Sequence, residues 1–260
     1  MKRILSFNNF LLESEKAVEP SSEGSSPIVI VAPHAVEADD KNTKEIAEEL
    51  AKNLNAFLLI NDNFHKPTDQ KDDSTEDFNH LPPSKDGKYA WDKRVPEMKA
   101  FYDKLESLAK KASSLSKDNN KRCLVLFIHG LSHDKYDIDL GAGAKSAPNM
   151  VINAEQHVKA KDNSGSITAP IKFVENFKEI LKKEGLKVGT GDVFSAWDEQ
   201  NGTQYLRNIG MDCYSIQIEI NTNLRDDPKK TAELLSSAVK QLKDFSESIF
   251  YLPQEITAQS

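Results

Sequence analysis

Two of the six histidines stand directly behind apolar runs. His34 follows Ile28-Val29-Ile30-Val31-Ala32-Pro33, and His129 follows Cys123–Ile128. In open α/β sheets, ligands bind beyond the carboxyl ends of the strands. If both runs are strands of one sheet, both imidazoles face the same crevice. Glu37 lies three residues after His34, in a short turn. That spacing lets one imidazole nitrogen and one carboxylate oxygen converge on a cation. Two histidines and a carboxylate leave the fourth position of a tetrahedral zinc open to water, as in a catalytic site. A further acid, Glu219, sits in Ser215-Ile216-Gln217-Ile218-Glu219-Ile220-Asn221. By the two-residue period of a strand it shares a face with Gln217 and Asn221, while Ile218 and Ile220 point the other way. A carboxylate in so apolar a strand needs a partner. Beside a zinc-activated water it has one, as a general base.

The elements that must place these residues are legible in outline. Ile28–Ala32 is mostly β-branched and suits a strand buried on both faces. Thr43 reads as the N-cap of a helix to about Asn53, with Ile46, Leu50 and Leu54 on one face. Ala56–Ile60 is the next strand, so the order strand, helix, strand points to a parallel pair with a helical crossover. Pro96 opens a long amphipathic helix to about Leu115. Cys123–Ile128 is a central strand, Ile171–Lys183 a helix stopped by Gly185, and Tyr214–Ile220 a late strand. Pro228 begins a final helix to about Phe250. The expected fold is α/β, a mostly parallel mixed sheet flanked by helices. The expected organisation is a flexible N-terminal segment over 1–26, one domain over 27–253 and a tail over 254–260. The polar stretch Asn61–Tyr89 is long enough to be either functional or disordered, and its role as a lid stays open.

Composition excludes several classes. The 260 residues carry 41 acidic and 34 basic side chains, for a net charge of -7. A nucleic-acid binder should show a basic field, and none is present. No stretch is long and charge-free enough to span a membrane. Asn8-Asn9 interrupts the apolar part of the N-terminus, which argues against a secretory signal. The two cysteines, Cys123 and Cys213, fall in or beside apolar runs and read as small buried residues rather than a disulfide framework. These features together lead to the expectation of a cytoplasmic protein.

With these residues in view, a family likeness emerges. Pro33-His34-Ala35-Val36-Glu37 is similar to the His-x-x-Glu zinc motif of carboxypeptidase-like zinc hydrolases. Ile128-His129-Gly130 and Asp137-Ile138-Asp139-Leu140-Gly141 resemble the His-Gly and Asp-x-x-Leu-Gly blocks of the N-formylglutamate amidohydrolase family. Gly202 to Arg207, Gly210 and Gln217-x-Glu219-Ile220-Asn221 resemble its Gly-Gly-x-x-Thr-Arg and Gln-x-Glu-Ile-Asn blocks, and Asp77-Phe78-Asn79 resembles its Asp-Leu-Asn-Arg block. The blocks run in family order from about residue 28 to 225. Poly-γ-glutamate hydrolases share a similar scheme. The resemblance implies a zinc carboxypeptidase-like fold with one zinc, His34, Glu37 and His129 as ligands, and Glu219 as general base. It also implies that Arg207 and Asn79 hold a substrate carboxylate. The chain departs from the family at His80, Thr203 and Leu206, which stand at substrate-pocket positions where the family has Arg, Gly and Thr. The implied reaction is hydrolysis of an amide in a small-molecule or peptide substrate bearing a carboxylate, such as an N-acylated amino acid. Two alternatives stand beside it: a γ-glutamyl or peptidoglycan-type metallopeptidase, and a non-catalytic binding module that keeps the fold. Whether His133, Asp137 or Asp139 reach the metal is left open. His65, His157, Arg94 and Arg225 read as surface residues.

Overall fold

The computed structural model describes residues 21–67, 75–85, 88–116, 122–143 and 167–244. Among these, nine strands form, β1 (Ser21–Ser22), β2 (Ile28–Ala32), β3 (Phe57–Ile60), β4 (Ser84–Lys85), β5 (Lys88–Tyr89), β6 (Leu124–Leu131), β7 (Ile138–Gly141), β8 (Val188–Gly189) and β9 (Tyr214–Asn221). The α-helices are α1 (Thr43–Leu54), α2 (Pro96–Leu115), α3 (Ile171–Lys183), α4 (Tyr205–Asn208), α5 (Thr222–Arg225) and α6 (Pro228–Asp244). Seven strands make one mixed sheet in the order β1-β3-β2-β6-β9-β7-β8, and β4 and β5 form a separate hairpin. The four central strands β3, β2, β6 and β9 are parallel. β7 runs antiparallel to β9, with β8 parallel to β7, and β1 is antiparallel to β3. This is the mixed, mostly parallel α/β sheet expected from the sequence.

Helices cover both faces, which is why β2 and β3 are apolar throughout. Ile28, Ile30, Leu126, Ile128, Ile216, Ile218 and Ile220 face α1, α3 and α6. Val29, Val31, Val125 and Phe127 face α2, through Met98, Phe101, Tyr102, Leu105 and Leu108. Each such fully buried large side chain contributes about 1.5–3 kcal/mol through removal of apolar surface from water. The alternation continues to the strand ends. His129 therefore shares the α2 side of the sheet with Phe127, and Glu219 shares it with Gln217.

Several boundaries differ from expectation. β6 and β9 run on to Leu131 and Asn221, so His129 lies inside a strand rather than behind one. Their ladder runs in register from Leu124↔Tyr214 to Leu131↔Asn221, and the strands stay buried to their ends. Thr43 is the first residue of α1, not its cap. Asn42 holds the cap position with φ 65° and without a side-chain cap bond, and the Thr43 hydroxyl instead donates to the Asp40 carbonyl at 2.7 Å. Ser21–Ser22, expected within a flexible lead-in, forms an edge strand on Leu58 and Leu59. Pro96 occupies the first turn of α2, and Gly185 follows α3 at φ 86°, as the sequence indicates. Among the described residues, no helix is long and apolar enough to cross a membrane.

Candidate metal centre and active site

His34 emerges two residues past β2 and is fixed from both sides of its ring. Its Nε2 is 2.8 Å from Asp77 Oδ1, which also accepts the Asn79 N–H at 2.8 Å. Its Nδ1 is turned to Asp40, 3.4 Å from Oδ2. His129, delivered by β6, places Nδ1 3.7 Å from the same oxygen, and the two rings meet edge-on at 4.9 Å. Asp40 is itself held. Its Oδ2 accepts the Gly130 N–H at 3.0 Å, and its Oδ1 takes the Lys66 ammonium at 2.7 Å. One donor atom from each of His34, Asp40 and His129 lies within 4.8 Å of the others, and all three residues are buried.

The structure thus brings together the two expected histidines, but with a different acid. Glu37 is exposed, in a turn closed by the Asp39 N–H to the Val36 carbonyl at 2.9 Å. That turn carries the chain round so that Asp40, three residues later, points inward. The sequence held one clue to it. Asp40 is six residues from His34 and two before the cap Asn42, a carboxylate close to the start of the helix.

A metal ion fits these residues. His34 Nδ1 and His129 Nε2 are buried with no hydrogen-bond partner, a condition that is costly for polar atoms unless something else engages them. Two imidazoles and one carboxylate are the donor set of a catalytic zinc site. Asp77 completes the pattern, since a carboxylate on the far nitrogen of a ligating histidine fixes its tautomer and orientation.

The charges are strongly coupled. Burial opposes ionisation of Asp40, but the adjacent imidazoles of His129 and His34 outweigh it and hold the carboxyl well below the usual range. Burial likewise opposes Asp77, and the His34 bond brings it down to about 2. Burial pulls His34 down, yet the neighbouring Asp40 carboxylate and the bond to Asp77 raise it overall. His129, fully enclosed, is pushed down by burial to about 4.

Glu219 pairs in register with His129 on one side and Asp139 on the other. Burial first, and the Asp40 charge second, push its carboxyl up to about 8, against the opposing hydrogen bond from Gln217. That bond runs from Gln217 Nε2 to Glu219 Oε1 at 2.6 Å. Gln217 Oε1 in turn accepts from Asn79 at 3.3 Å and Asn201 at 3.0 Å. Asn79 thus stands in the site network, with its Oδ1 buried and unpartnered. Gly202 is required beside it, because a Cβ there would strike the Tyr102 hydroxyl and the Asn79 amide.

Other expected residues lie elsewhere. Arg207 is exposed, and its guanidinium donates to the Ile167 carbonyl at 2.8 Å. His80 is exposed and bridges Asn201 only through backbone. His133 is exposed, with Nδ1 accepting the Lys135 N–H. Asp137 accepts the Lys187 N–H, and Asp139 binds four backbone N–H groups of 191–194, so both order loops. Arg94 is partly buried and pairs with Glu76 at 3.0 Å. Arg225, expected at the surface, is buried. It donates to the Ile220 and Lys41 carbonyls, and a Cβ on Gly130 would come within 2.9 Å of its guanidinium carbon. His65 is half-buried, and His157 lies outside the described residues.

No family model and no curated protein matches the chain. Solved structures do. A gene product of Agrobacterium tumefaciens is similar at 15% identity and a TM-score of 0.56, over 91% of this chain and 98% of that one. A bacteriophage poly-gamma-glutamate hydrolase is similar at 12% identity and a TM-score of 0.46, over 89% and 88%. The N-formylglutamate amidohydrolase of Ralstonia eutropha JMP134 is similar at 14% identity and a TM-score of 0.46, over 86% and 95%. The first shows a shared fold across nearly the whole of both chains. The other two are looser likenesses.

Proposed function

We propose that this protein is a zinc-dependent amide hydrolase in which His34, Asp40 and His129 hold the metal and Glu219 is the general base. The observation that carries the reading is the position of Glu219, a buried acid one strand across from His129 and close enough to Asp40 for that charge to raise its pKa. When bound, the metal supplies a Lewis acid that polarises the amide carbonyl and makes a coordinated water more acidic. The chain's own groups do the rest. Glu219 takes a proton from the attacking water and returns it to the leaving nitrogen. Without metal, burial and the Asp40 charge raise its pKa to about 8; a bound cation would draw it down towards the range in which a carboxylate can accept that proton. Gln217 occupies one of its oxygens, leaving the other for the proton. Asp77 holds His34 with Nδ1 presented to the metal side, and Lys66 and the Gly130 amide fix Asp40.

The substrate class follows from the sequence resemblance: an amide bearing a carboxylate, of the N-acylated amino-acid kind. Asn79 Oδ1, buried and without a partner, is an acceptor and suits an N–H of the substrate rather than its carboxylate, since the Asn79 Nδ2 donates to Gln217. The test is metal analysis of the purified protein after incubation with zinc, run with a panel of N-formyl and N-acyl amino acids, γ-glutamyl peptides and murein-type peptides. About one zinc per chain and turnover of one substrate group are expected. A protein that takes up no metal sinks the reading. One that binds metal but cleaves no amide is a binding module instead.

A further inference from the structure

The two cysteines are distant in sequence, by 90 residues, yet their sulfurs lie 3.0 Å apart as free thiols. The reason is the sheet. Cys123 and Cys213 immediately precede the first paired residues of β6 and β9, Leu124 and Tyr214, and the Tyr214 N–H donates to the Cys123 carbonyl at 2.9 Å. Adjacent strands are spaced about 4.8 Å apart, inside the roughly 4.4–6.8 Å window of Cα separations that a disulfide spans. The flanking residues are cross-linked too, since Arg122 Nε is 2.7 Å from Asp212 Oδ2. Both sulfurs are thus held face to face by backbone that is already fixed.

We propose that Cys123 and Cys213 are a disulfide-forming pair, a covalent lock between the starts of β6 and β9 that low-molecular-weight disulfides close and thiols reopen. Cys213 is the more exposed of the two, at 8% against 0%. The hydrogen bond between the thiols lowers the pKa of Cys213 and raises that of Cys123, so Cys213 is the attacking thiolate. Its sulfur attacks one sulfur of the small disulfide and expels the other half as a thiolate. Cys123 then loses its proton to solvent, attacks the Cys213 sulfur and expels the second half. Two protein thiols are oxidised and one small disulfide is reduced to two thiols.

The same two strands carry the catalytic pair at their other ends, with His129 and Glu219 each six residues further along. At about 3.3 Å per residue the lock sits roughly 20 Å from the site. It constrains the long segment between the strands, which includes β7, β8 and α3, without touching a catalytic group.

The experiment uses the full chain, reduced, freed of reductant and equilibrated with oxidised glutathione. Free thiols counted in denaturant, intact mass and a peptide map are read on monomeric protein. The proposal expects both thiols to disappear, the mass to fall by one hydrogen pair, and a Cys123–Cys213 linked peptide to form. The thermal midpoint should rise by on the order of 5–10 °C and return on adding dithiothreitol. Cys123→Ser should instead trap a stable glutathione adduct on Cys213. Retention of both thiols in excess oxidised glutathione overturns the proposal, as does linkage only between chains. The wild-type mass decides the matter even if the variant does not fold.

Discussion

Glu219 and Asp139 face one another across the β7–β9 ladder, both almost fully buried and both acids in apolar strands. Their surroundings differ. Asp139 accepts four backbone N–H groups and serves as the anchor of the 190–194 loop. Among the described residues Glu219 has one amide donor, Gln217, and burial first and the neighbouring Asp40 charge second lift its pKa to about 8 against that bond. A buried carboxylate that is saturated with donors is built into the architecture. One that is left short of donors is held at a higher energy as an anion, and is ready to take a proton. On the proposed function, this contrast assigns the general base to β9 and an ordering role to the acid on β7.

The sharpest break of this comparison is substitution of the two acids in parallel. Glu219→Gln should cost about 10²–10⁴-fold in turnover while leaving zinc content unchanged, as read by steady-state kinetics beside metal analysis. Asp139→Ala should do the reverse in kind. It leaves four loop N–H groups without their acceptor, and because three of them are only partly buried it should lower the unfolding free energy by about 1–3 kcal/mol in denaturant titration. If instead the Asp139 variant folds normally and the Glu219 variant unfolds, the assignment of roles is wrong.

A second contrast tests which acid completes the metal site. Asp40→Ala should weaken zinc binding by more than about 100-fold in a competition titration. Glu37→Ala should leave it within error, because that side chain is exposed. Equal losses would restore Glu37 to the ligand set.

The smallest effect concerns the metal-free protein. Glu219 titrates near pH 8 when folded and near 4.3 when unfolded. Below the lower value it is neutral in both states and has no effect. As pH rises from there towards 8, the unfolded chain ionises and the folded one does not, so wild-type stability falls. Glu219→Gln removes that loss. It should therefore melt higher than wild type by an amount that grows from pH 5 to pH 8, reaching about 1–2 kcal/mol after relaxation. A difference independent of pH would show that Glu219 is ionised in the folded metal-free state.

The regular elements were readable because each has a strong local signal. Pro96 and the apolar stripe of α2, the β-branched run of β2 and the glycine after α3 fix those segments within a residue or two. The three-strand convergence of His34, His129 and Glu219 was also readable, because strand ends in a parallel sheet gather at one edge. The third acid was not. Whether Glu37 or Asp40 turns inward depends on the turn at 36–39 and on the left-handed Asn42, and a His-x-x-Glu spacing is silent about both.

By itself, then, the sequence determined the four central parallel strands and the four long helices, and which of those strands carry histidines and a buried acid, but not the short edge strands or the hairpin. Periodicity and capping are properties of short stretches, and so are legible in one dimension. Only the tertiary structure decided the partners. It set Asp77 against His34, Lys66 against Asp40, and Arg225 beneath Gly130. It left Arg207 and His80 at the surface, and it placed Cys123 against Cys213. Each of these is a meeting of segments far apart in the chain, fixed by sheet order and loop conformation that no local pattern encodes.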